Sequence, residues 1–93
     1  MKNKSEHNYK SKKIVKNLKS DRRRLIILND NFNTFDHVIE TLINICKHTH
    51  QQAEQCTYLI HYKGKCSVKE GKLKELNKMK KLISTAGITA IIK

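Results

Sequence analysis

The longest uninterrupted aliphatic run in this chain is Leu25-Ile26-Ile27-Leu28, and Asn29-Asp30-Asn31 comes directly after it. The run is far below the roughly 20 apolar residues that a membrane-spanning helix needs. Short, aliphatic and bounded by turn formers, it reads as one buried strand over residues 23–28. Asn and Asp side chains bond back to nearby backbone, so the strand is expected to end there in a turn. A chain of 93 residues has room for one small domain and little for an enclosed active site with lids.

Beyond the turn the apolar residues recur with a helical period. Phe35, Val38, Ile39, Leu42 and Cys46 share one face of a helix expected over residues 34–48. Asn33 is the expected N-cap, and Asp36 puts a carboxylate in the first turn, where the helix dipole favours it. Thr49 and Gln52 have the spacing of a capping box and open a second helix, with Ala53, Cys56, Leu59 and Ile60 apolar and Gly64 as its stop. Residues 65–69 read as a short strand. Gly71 precedes a third helix over residues 72–86, with Leu73, Leu76, Met79, Leu82 and Ile83 turned inward; Gly87 ends it, and residues 88–92 form a last strand. The expected fold is α+β: a small three-stranded antiparallel sheet packed against three helices in the order β-α-α-β-α-β. Residues 1–22 are expected to form a flexible basic tail and residues 23–93 the core domain.

Charge is concentrated at the start. Residues 1–24 hold ten of the twenty Lys and Arg but only Glu6 and Asp21 as acids, so most of the formal net charge of +12 lies there. A basic leader suits nucleic acid or an acidic protein surface. Beyond it there is no RNP motif, zinc finger or recognition-helix pattern, and aromatic residues are 5% of the chain. Nucleic-acid contact is therefore expected through the tail alone, and a basic nucleic-acid- or ribosome-associated module is the alternative reading of the whole. Cys46, Cys56 and Cys66 are odd in number and form no CxxC pair, which fits free thiols in a reducing compartment, with cytoplasm the default. The basic N-terminus runs into no apolar segment of signal-peptide type.

The chemistry-bearing residues are few. GxSxG, P-loop and HExxH patterns are missing, so catalysis is not expected. Cys46, His48, His50, Cys56 and His61 lack the framework that four converging metal ligands require, so neither metal nor other cofactor is expected. The informative set is polar: Asn29 and Asp30 leave the first strand, and His61 lies one helical turn after Thr57 on the same face. If the two helices pack as a hairpin across the sheet, these groups meet beside Phe35, Val38, Thr57 and Ile60.

The stretch Leu28-Asn29-Asp30-Asn31-Phe32-Asn33-Thr34-Phe35-Asp36-His37-Val38-Ile39 resembles the first signature of the ClpS family of Clp protease adaptors. The stretch Ala53-Glu54-Gln55-Cys56-Thr57-Tyr58-Leu59-Ile60-His61-Tyr62-Lys63-Gly64-Lys65 resembles its second, an Ala-led helix that ends in aliphatic-His-x-x-Gly. The similarity covers about residues 24–93. It implies an adaptor that binds N-degrons, substrates with a bulky hydrophobic first residue and a free α-amine, and docks on the N-terminal domain of a ClpA- or ClpC-like ATPase, acting as a monomer. It further implies that Asn29 and His61 accept hydrogen bonds from the substrate ammonium while Asp30 adds negative charge; His61 must then be neutral. By the same match Phe35, Val38, Thr57 and Ile60 line the pocket for the first side chain, with Asn33 and Ile39 nearby and Thr89 as a wall. Thr57 stands where many members of the family carry Met.

Overall fold

The computed structural model describes residues 21–93. Most of the expected basic tail, residues 1–20, lies outside the described residues. The elements are β1 (Arg22–Leu28), α1 (Phe35–Cys46), α2 (His50–Lys63), β2 (Lys65–Lys72), α3 (Leu73–Thr85) and β3 (Ala90–Ile92), in the expected β-α-α-β-α-β order. The strand order is β2-β1-β3, with both pairings antiparallel.

The aliphatic run takes the central strand because only a strand with partners on both sides satisfies its backbone bonds away from water. Leu25 and Ile27 are fully buried against Leu42, Cys46, Leu76 and Ile83 from the helices, and Ile26, on the other face, is buried as well. Each such side chain contributes about 1.5–3 kcal/mol by leaving water. A register shift between Leu25 and Ile26 leaves Val68 without a partner across the ladder.

Element ends obey local chemistry, with several departures from expectation. Thr34, not Asn33, caps α1, its hydroxyl accepting from the His37 amide at 3.1 Å. The Asn33 side chain is drawn off into one local and one tertiary bond, donating to the Asp30 carboxylate at 2.6 Å and to the Gly87 carbonyl at 2.9 Å. Helix α1 stops at Cys46 because Lys47 turns left-handed (φ 61°), an unusual conformation for a residue with a Cβ. The Thr49–Gln52 capping box forms reciprocally and opens α2. Strand β2 runs on to Lys72, carrying buried Gly71 inside it: Gly71 pairs with Arg23, and a Cβ there would meet Glu75 Oε1 at 3.3 Å.

Two helix faces are rotated from their expected composition. In α2 the buried residues are Ala53, Thr57 and Ile60, while Leu59 is 45% exposed, because it lies about 100° around the helix from Ile60. In α3 only Leu76 and Ile83 are buried, with Met79 packed against them; Leu73 and Leu82 face outward. Among the described residues no helix is long and apolar enough to cross a membrane.

Candidate functional site

The last rung between β1 and β2 pairs Leu28 with Lys65. One residue further on, the Asn29 amide donates to the Gly64 carbonyl at 2.9 Å. Gly64 is the left-handed C-cap of α2 (φ 93°), and its amide donates back to Ile60. The sheet therefore delivers Asn29 to the final turn of α2, the turn that carries His61. Two segments distant in the chain become neighbours through one strand pairing and one glycine.

Between that turn, the start of α1 and the end of β1 lies a cavity of about 300 Å³. Asn29, Asp30 and His61 line it, and so do Asn33, Phe35, Val38, Thr57 and Ile60. Two expected residues are not among its walls. Ile39 is buried in the core, and Thr89 is exposed, with its carbonyl accepting from the Leu28 amide at 3.0 Å. Ile88, one position earlier and 3% exposed, supplies the wall assigned to Thr89, because adjacent residues of an extended chain point to opposite sides. Ile27, Leu28 and Thr34 also line the cavity without having been expected there.

The polar groups differ in how free they are. One Asp30 carboxylate oxygen accepts from the Phe32 and Asn33 amides at 2.9 and 3.0 Å, and the other from the Asn33 side chain. Desolvation pushes this carboxyl up, but the hydrogen bonds from Asn33 and Phe32 outweigh it and hold it below its ordinary value. Asp30 thus stays ionised while most of its accepting capacity is spent on the turn. The Thr57 hydroxyl donates to the Ala53 carbonyl at 2.7 Å, so Thr57 meets the cavity with no free donor.

His61 stands in an aromatic setting that the expected site did not include. Its ring is edge-on to Phe35 (centroids 6.2 Å apart) and to Tyr62 (5.2 Å). Tyr58 is edge-on to Phe35 at 4.8 Å and stacks on Tyr62 at 5.9 Å with 8° between the planes. The signal was available: Tyr58 and Tyr62 are four residues apart and flank His61, the spacing at which helical side chains meet.

Cys46 and Cys66 are poor nucleophiles. Burial pushes Cys46 up to about 11 despite the attraction of Lys69. Burial and then a hydrogen bond with Cys56 push Cys66 up to about 12. Among the described residues no three His, Cys, Asp or Glu side chains gather as metal ligands. The cavity joins apolar walls from Phe35, Val38 and Ile60 to a polar rim of Asn29, His61 and the ionised Asp30.

A family model described as the ATP-dependent Clp protease adaptor protein ClpS matches residues 19–89. The chain belongs to the ClpS family of Clp protease adaptors. A solved structure of Agrobacterium tumefaciens ClpS2 bound to L-phenylalaninamide is similar in fold, with a TM-score of 0.73 and 14% identity over 78% of this chain and 95% of that one. No curated protein sequence matches the chain.

Proposed function

We propose that the cavity receives the first residue of an N-degron substrate and that the protein hands this cargo to a Clp ATPase–protease. One observation carries the reading: Asn29, Asp30 and His61 converge on the same cavity as Phe35, Val38, Thr57 and Ile60. A free α-ammonium has three donors and a positive charge, so its site needs acceptors and a carboxylate; a bulky apolar first side chain needs an apolar floor. Asn29 and His61 accept from the ammonium, and Asp30 acts chiefly through its charge, since three hydrogen bonds already occupy its oxygens. The ligand of the similar ClpS2 structure, an aromatic amino-acid amide, has these two features.

The magnitudes suit reversible capture. Two charge-assisted bonds contribute about 1.5–3 kcal/mol each, and burying a Leu or Phe contributes about 1.5–3 kcal/mol. After ordering costs the expected affinity is micromolar or weaker, weak enough for release. Delivery would come from docking on the N-terminal domain of a ClpA- or ClpC-like ATPase, with the basic residues before Leu25 drawn to acidic surface there.

Backbone NMR with a Leu-starting peptide tests the pocket. Shifts are expected to cluster at Asn29, Asn33, Thr57 and His61; a response confined to the lysine-rich outer face of α3 would overturn the assignment. Removal of residues 1–20 is expected to leave peptide affinity unchanged and to slow degradation of an N-degron reporter.

A further inference from the structure

The rim of the cavity has two unlike sides. On the turn side the polar atoms are committed to one another: Asp30 holds the Phe32 and Asn33 amides, and Asn33 reaches across to Gly87. On the α2 side Phe35, Tyr58, Tyr62 and His61 form a continuous set of rings. Phe35 belongs to the cavity wall. Tyr58 and Tyr62 lead away from it and are 47% and 74% exposed, so the set passes from the pocket to open surface.

Exposed aromatic area of this kind needs a reason, because among the described residues neither Tyr58 nor Tyr62 belongs to the core. Leu42, Val38 and Ile60 build the core without help from Tyr62. A peptide whose ammonium is held at His61 supplies one. Its second Cα lies about 3.8 Å beyond the first, which keeps that Cα, where the second side chain begins, within about 8 Å of the His61 nitrogen. The Tyr62 ring is centred 5.2 Å from the His61 ring.

We infer that Tyr58 and Tyr62 form a second subsite, which selects substrates whose second residue is aromatic. The inference rests on the proposed reading of the cavity as an N-terminal residue site. Tyr62 stacks on Tyr58 and meets His61 edge-on, yet stays largely exposed, so ring surface remains for an incoming side chain, and aromatic pairs prefer the offset and edge-on arrangements already present in this set. A charged second residue would have to shed water against an apolar wall and gains less there.

The test is a titration of the full chain with peptides that begin Leu-Phe, Leu-Tyr and Leu-Gly, each free and N-acetylated. Leu-Phe and Leu-Tyr are expected to bind about two- to tenfold more tightly than Leu-Gly, the range that aromatic pairs contribute. In Tyr62→Ala that ratio falls toward one; the exposure of Tyr62 makes this variant safe for folding, and Tyr58→Leu serves as a second probe. Phe32, 91% exposed at the tip of the opposite turn, is the control: Phe32→Ser keeps the ratio. Loss of binding on acetylation together with equal affinity for all three free peptides overturns the second subsite and leaves the N-degron reading standing. A ratio abolished by Phe32→Ser but not by Tyr62→Ala overturns it too, by placing the subsite on the turn. Equal affinity for free and acetylated forms removes the N-degron reading, and the second subsite falls with it.

Discussion

Helices α1 and α2 pack on the same sheet, yet they do opposite work. Helix α1 buries Val38, Ile39, Thr41, Leu42 and Cys46. Helix α2 is longer but buries only Ala53, Thr57 and Ile60, and it exposes Tyr58, Leu59 and Tyr62. The helix that gives less to the core carries His61, Thr57 and Ile60 of the candidate site and the whole of its tyrosine pair. Its capping box and glycine stop hold its ends without drawing on the side chains that line the cavity. Stability and recognition are therefore expected to separate along the boundary between these helices.

The largest effect should come from α1. Leu42→Ala removes a fully buried side chain and is expected to cost about 2–5 kcal/mol in denaturant unfolding. A cost below about 1 kcal/mol would mean that α1 is not the core helix described here. His61→Ala, on exposed α2 surface, is expected to weaken binding of a Leu-starting peptide by about 1.5–3 kcal/mol while the unfolding midpoint hardly moves. A matching loss of stability would break the comparison. Next in size, Gly64→Ala forces a Cβ into a left-handed C-cap with φ 93° and should cost about 1 kcal/mol. Because the Gly64 carbonyl also holds the Asn29 amide, affinity should fall with it, linking the two properties at the place where the site touches the sheet.

Smaller effects sharpen the picture. Thr57 is buried in the cavity wall and shorter than the Met common in the family, so the preference for Leu over Ile as first residue should be smaller than in Thr57→Met. Peptide titrations on both proteins decide this, and an unchanged ratio would release Thr57 from that role. Lys47→Gly relieves the left-handed end of α1 and should stabilise the protein by about 0.5–1 kcal/mol. Asp30 gives a pH dependence of known sign. Its carboxyl is held below its ordinary value, so its contribution is full above the unfolded value and fades as pH falls through the lower folded one. The Phe32 and Asn33 amides should report that loss in an acid titration.

Features that depend on near neighbours were legible in the sequence. The aliphatic run announced β1, and Thr49 with Gln52 announced the start of α2, because a capping box is closed within four residues. Asn33 and Thr34 are both good caps, and the Asn33 side chain is taken instead by Asp30, three positions back, and by Gly87, 54 positions on. Leu59 and Thr57 show the same limit: hydrophobic character favoured Leu59, but position around the helix put Thr57 inside. Of the residues expected from the two motifs, Asn29, Asp30, Asn33, Phe35, Val38, Thr57, Ile60 and His61 line one cavity, whereas Ile39 faces the core and Thr34 joins the cavity unexpectedly. Ile88 was not legible as a wall, since it precedes β3 and its placement depends on the distant bond from the Leu28 amide to the Thr89 carbonyl.

The central claim is that this pocket reads a free α-amine beside a bulky side chain. Fluorescence anisotropy with one Leu-starting peptide, free and N-acetylated, tests it most directly. Acetylation removes the charge and two of the three donors while keeping the side chain. The free peptide is expected to bind saturably at micromolar or weaker affinity, with at least about a tenfold loss on acetylation, the cost of a charge-assisted bond. Equal affinity for the two forms would contradict the claim.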